Sequence, residues 1–290
     1  MQEAGVLHGE AKGAGRSDAS QAPEPFRIGL ARAFGGALLF ALPLMMTMEM
    51  WWLGSYLEPY RLALLLVVMF PLLVGTSHLG GFRETFRFSE DAEDALVAYA
   101  VGFIAATALL LLFGVIRYHT SFGDGLGMVA LQAVPGSLGA LLARSQLGGQ
   151  PKREKERTHY AGYFGELFLM VVGALFLTLN VAPTEEIILI AFKMTEWHSL
   201  ALVALSLAIM HTFVYAAGFH GQAARPEGVT GWSLFLRFTV VGYALVLLVC
   251  LYVLWTFGRT DSVGSEEVLS MTLVVGFPGA IGAAAARLIL

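Results

Sequence analysis

A single cysteine, Cys250, stands in a chain of 290 residues, and only 14% of the residues are charged. One cysteine excludes a disulfide framework and any cysteine-based metal motif. The shortage of charge excludes an ordinary soluble domain, in which roughly a quarter of residues are charged. No His-Glu-x-x-His pair, nucleophile elbow or phosphate-binding loop occurs, so the reading is that the chain is not an enzyme and needs no cofactor. No basic tract with interleaved aromatics is present either, and no nucleic-acid partner is expected.

Apolar residues make up 57% of the sequence and lie in long unbroken runs. Runs of about 18 or more can cross a bilayer, and in lipid they must be helical so that every backbone group is paired. Eight such runs fall near 30–53, 62–82, 95–116, 126–143, 161–182, 199–219, 232–256 and 268–288. The predicted fold is all-α and membrane-embedded. Residues 1–26, rich in Gly, Ala, Ser and Gln, read as a disordered tail.

Lys and Arg set the expected orientation. With the amino terminus inside, fourteen basic residues fall in inside segments and four (Arg61, Arg117, Lys193 and Arg259) outside. The expectation is a multi-pass protein of a bacterial inner membrane with both termini cytoplasmic. A basic cytoplasmic linker occupies 147–159, including Lys152, Arg153, Lys155 and Arg157. The acidic group Glu90, Asp91, Glu93 and Asp94 reads as a solvated helix start near Arg83 and Arg87.

The linker separates two halves, 27–146 and 160–290, that resemble each other. Gly36-Ala37-Leu38 aligns with Gly173-Ala174-Leu175, and Thr47-Met48-Glu49 with Thr184-Glu185-Glu186. Val101-Gly102 is paired with Val241-Gly242. Pro135-Gly-x-x-Gly139, ending at Arg144, aligns with Pro278-Gly-x-x-Gly282, ending at Arg287. Four spans per half is an even number, so the repeats are expected to be parallel, a pattern in which transporters place their site at the repeat interface.

Glu49 and Glu186 are the leading site candidates, because carboxylates in an apolar span are costly and usually face water or a partner. With Thr47, Thr184, Glu185 and Asn180 they offer oxygen ligands for a hard cation such as Ca²⁺, or a proton route. Glu49 is read as lying inside a continuous apolar run, whereas Pro183-Thr-Glu-Glu186 suits the first turn of a short interfacial helix, Ile187 to Met194, with Met50 to Leu57 as its counterpart. Pro135 and Pro278 break their helices and are candidates for shaping a path. Gln132 and Glu166 could line or gate it, and His78 and His211 could relay protons. Lys193 is expected to reach the outer interface.

The Thr-x-Glu and Pro-Gly-x-x-Gly elements, across the whole membrane region, resemble an uncharacterised bacterial integral-membrane family with a four-plus-four helix repeat. That resemblance implies no activity. There is also a similarity in concept to cation exchangers whose halves each supply acidic residues, although their inverted repeats and motifs are missing here. The functional expectation is a cation channel or transporter, for Ca²⁺ or H⁺, with a duplicated acidic site at the repeat interface. Its partners would be the lipid bilayer, a small cation and, as a candidate, a second copy of the chain. The alternative is a non-transporting scaffold, sensor or lipid-binding protein.

Overall fold

The computed structural model describes residues 26–80, 88–147, 163–215 and 231–289. The expected tail and linker fall outside them, apart from Phe26 and Leu147. The first half contains α1 (Phe26–Met45), α2 (Met48–Tyr56), α3 (Pro59–Gly80), α4 (Phe88–Leu112) and α5 (Phe122–Leu147). The second contains α6 (Tyr163–Val181), α7 (Glu186–Lys193), α8 (Glu196–Tyr215), α9 (Gly231–Leu234), a π-helical turn (Phe235–Val240), α10 (Val241–Thr256) and α11 (Ser265–Ile289).

Among the described residues, seven helices are long and apolar enough to cross a membrane. An eighth crossing results if α7 and α8, bent by 117° at their junction, form one broken span. Large apolar side chains such as Leu39, Val67, Leu96, Ile104 and Leu248 point outward from these helices. That outward surface is the signature of a protein whose solvent is lipid rather than water.

Each half is organised around its last helix. In the first, α5 packs against α1, α2, α3 and α4; in the second, α11 packs against α6, α7, α8 and α10. Small residues make this possible. Gly36 on α1 lies so close to Gly139 on α5 that a Cβ added at Gly139 would come 2.6 Å from the Gly36 carbonyl. Gly173 on α6 and Gly282 on α11 repeat the contact, each opposite the other's carbonyl oxygen. Glycine stripes let helix backbones approach in lipid, where burial of apolar surface supplies no drive for association.

The halves meet along fewer elements: α3 touches α6 and α10, and α5 touches α6. The Phe168 ring of α6 fills the space beside Gly75 of α3, 2.5 Å from where a Cβ would stand. Phe40 and Phe176 meet edge to face, centroids 5.5 Å apart, a favoured aromatic geometry.

The repeat extends to individual hydrogen bonds. Thr47 Oγ1 donates to Leu44 O (2.8 Å), and Thr184 Oγ1 donates to Val181 O (2.9 Å). Leu57 N donates to Leu53 O as Met194 N does to Ile190 O. Both α4 and α10 end in the same pattern: Phe113, Gly114 and Val115 donate to Leu109, Leu111 and Leu110, while Phe257, Gly258 and Arg259 donate to Val253, Trp255 and Leu254. Gly114 and Gly258 adopt φ of +69° and +70° there, a left-handed helix stop that glycine takes without strain.

Two sequence expectations need correction. The first apolar run is not one helix: it breaks at Met46-Thr47, so Glu49 lies in the first turn of α2. The matched helix ends also shift the pairing of α4 with α10 by one turn. Gly102 corresponds to Val246 rather than Gly242, and the packing agrees, since Gly136 lies against Gly102 and Gly279 against Val246. A Val-Gly dipeptide is weak evidence of register in apolar text, because a four-residue slip keeps nearly the same helix face.

Candidate functional site

The break after α1 and the break after α6 are built alike. Thr47 has an extended backbone (φ −90°, ψ 130°), and its hydroxyl is spent on the preceding turn. Trp51 Nε1 donates to Met45 O at 2.7 Å, capping one of the carbonyls that α1 leaves open. Glu49 and Glu186 each follow in a first turn, where a carboxylate complements the helix dipole. The dipole therefore accounts for both members of the duplicated pair.

Glu49 is half-buried, while Glu185 and Glu186 are exposed. Asn180 Nδ2 donates to Phe176 O of its own helix, at 2.7 Å. α2 rests on α5 and α7 on α11, so each acidic element sits within its own half. The described residues contain no group of three or more His, Cys, Asp or Glu placed to hold a metal ion. No such group brings Glu49, Glu185 and Glu186 together among the described residues.

Buried charge lies elsewhere. The acidic group expected to be solvated divides along the face of α4. Glu93 is exposed, whereas Asp91 and Asp94 are each only 3% exposed. Asp91 Oδ2 lies 2.9 Å from His78 Nδ1, and Ser77 Oγ donates to Asp94 Oδ2 at 3.3 Å. Both partners come from the last turn of α3, and His78 keeps its ring largely exposed. A buried carboxylate is tolerated only when it is paired and hydrogen-bonded, and here α3 supplies one such bond to each. The sequence did hold a signal. Asp91, Asp94, Ala98, Val101 and Ala105 follow helical spacing, so both aspartates continue the buried stripe of α4.

The second half has different chemistry at this level. His211 Nδ1 lies 3.0 Å from Thr239 Oγ1, which is buried in the π-helical turn. Tyr163 OH donates to the Arg237 carbonyl of the same turn. His78 and His211 are therefore both joined to the third spanning segment of their half, one by an aspartate and one by a threonine. Glu166 is half-buried in the first turn of α6. Gln132 and Pro135 are buried in α5, and Pro278 is half-buried in α11. Lys193 is exposed at the end of α7.

One further buried charge joins the two halves. Arg61, 7% exposed, begins α3 and crosses to the other half. Its Nη1 donates to Trp255 O (2.7 Å), its Nη2 to Asp261 Oδ1 (2.9 Å), and its Nε lies 3.0 Å from Glu58 Oε2. The guanidinium also stacks over the Trp255 ring, 5.0 Å from its centroid. Arg259, two residues before Asp261, donates to Pro183 O at the break preceding α7. The segment after α10 therefore ties α3 of one half to the acidic turn of the other.

Residues 29–290 match the family described as "Putative integral membrane protein (DUF2391)". The chain belongs to this family. The match spans both halves, so the family is defined on the whole helical assembly and not on one repeat. No curated protein and no solved structure matches the chain.

Proposed function

We propose that this integral membrane protein moves a small cation across the bilayer, and that the cation is a proton. The observation carrying this reading is the buried pair Asp91 and Asp94 on α4, held by His78 and Ser77 of α3. Ionisable side chains enclosed in membrane helices are costly and characteristically mark ion and proton routes. His78 is exposed at one end of the pair, and in this reading it links the enclosed Asp91 to the surface. Imidazole and carboxylate at hydrogen-bond distance form a standard proton-exchange couple.

Ca²⁺ fits less well. It takes six to eight oxygen ligands, and the described residues provide no acidic cluster of that kind. In this reading Glu49 and Glu186 concentrate cations at the far face, as surface carboxylates do. The orientation set by Lys and Arg would place the His78 end and both termini in the cytoplasm of a bacterial cell, with α2 and α7 at the outer face.

A second reading is a non-transporting scaffold. The glycine contacts Gly36–Gly139 and Gly173–Gly282 favour it, because they close both helix bundles tightly.

The test is ion flux in liposomes of the native protein, with an entrapped pH dye and parallel Ca²⁺, Na⁺ and K⁺ indicators. Proton flux under an imposed potential supports the reading. Calcium flux without proton flux, or no flux under any gradient, removes it.

A further inference from the structure

Gln132 lies near the middle of α5 and is fully enclosed. Neither its amide nitrogen nor its amide oxygen has a hydrogen-bond partner among the described residues. A primary amide carries two donors and an acceptor, and leaving these unpaired in an apolar interior is costly. Buried amides are almost always satisfied, by protein or by ordered water.

The neighbouring residue adds a second polar group. Pro135 has no N–H, so the carbonyl of Leu131 cannot accept its usual bond from four residues on. Leu131 is itself fully buried. Donors and acceptors therefore lie on consecutive residues of one helix. Above them Gly127 and Met128 carry α2 through Gly54, and below them Ala133 and Gly136 carry α4 through Gly102.

We propose that Gln132 and the Leu131 carbonyl form an internal water-binding site in the core of the first half. Water is the ligand whose chemistry fits: it accepts from the amide N–H and donates to both carbonyl oxygens, the two to four bonds that buried waters make. A bare cation would leave the N–H donors unmatched. The second half keeps the proline, Pro278, but has buried Val275 where Gln132 stands, so the site is confined to one repeat. The inference is independent of ion transport.

The test is water-edited solid-state NMR on ¹⁵N-glutamine-labelled protein in liposomes. The chain has six glutamines (2, 21, 132, 146, 150 and 222), and the Gln132 amide is the signal lost in Gln132→Leu, or in Gln132→Met if the leucine variant does not fold. The expected result is rapid transfer from water to the Gln132 side-chain amide, at a rate like that of exposed glutamines. Transfer as slow as in the dry helix core overturns the proposal. A second readout is thermal stability. Removing an unpaired dry amide raises Tm, so a clear rise in Gln132→Met also overturns it.

Discussion

Arg61 and Asp261 are 200 positions apart in sequence and 2.9 Å apart in space, and their bond joins the two halves of the molecule. The arginine is enclosed and the aspartate half-exposed. Removing the acid leaves Arg61 its bonds to the Trp255 carbonyl and to Glu58; removing the arginine opens a hole and frees all its acceptors. Arg61→Ala is therefore expected to lower Tm well beyond Asp261→Asn. Arg61→Lys should fall between them, because an ammonium cannot reproduce the planar fork. Thermal unfolding of the three variants in one detergent checks the order.

Adjacent glycines of α1 should respond in opposite directions. A Cβ on Gly36 collides with Ala143 and the Gly139 carbonyl, whereas nothing lies within 4 Å of a Cβ on Gly35. Gly35→Ala should be neutral or stabilise by up to about 1 kcal/mol through helix propensity. Gly36→Ala should destabilise by roughly 1–3 kcal/mol, the usual effect of overpacking. Gly173→Ala should match Gly36→Ala, since its contact is the same one in the other half. Denaturation midpoints of the purified variants decide.

The helix stops give a cleaner backbone test. Gly114 sits at φ +69° with only the Arg117 side chain within 4 Å of a Cβ, so replacing it carries conformational strain and little collision. Gly114→Ala should destabilise by about 1–2 kcal/mol. An unchanged unfolding midpoint would contradict the left-handed stop.

Much of the architecture was legible in the sequence, for physical reasons. Bilayer-length apolar runs fix the number and order of helices. The repeat was legible where rare residues recur, as at Thr47 and Thr184 or Pro135 and Pro278, and less so in α4 and α10, where apolar residues are interchangeable. The break at Met46-Thr47 falls three residues after Pro43, which α1 accommodates, so the proline does not mark the break itself. The Arg61 contacts depend on two segments meeting across the whole chain, which no local pattern records. Asp91 and Asp94 were hidden by Glu90 and Glu93 beside them: charge density suggested water, while the helical spacing of the aspartates pointed into the protein.

Topology can be checked with the single native cysteine removed, since Cys250 is buried. Cysteines introduced at Lys155 and at Tyr118 should label from opposite sides of the membrane, with Lys155 on the side of the amino terminus. Labelling of both from one side would contradict the arrangement of spans between them.

The most direct test of the proposed route compares proton flux through liposomes of native protein and of the Asp91→Asn, Asp94→Asn double variant. Asparagine keeps the shape of each side chain and one acceptor oxygen, puts a donor in place of the other, and removes the titratable group. The account predicts proton flux in the native protein and its loss in a double variant that purifies as a folded species. Native-like flux through the folded variant, with both carboxylates gone, would contradict it.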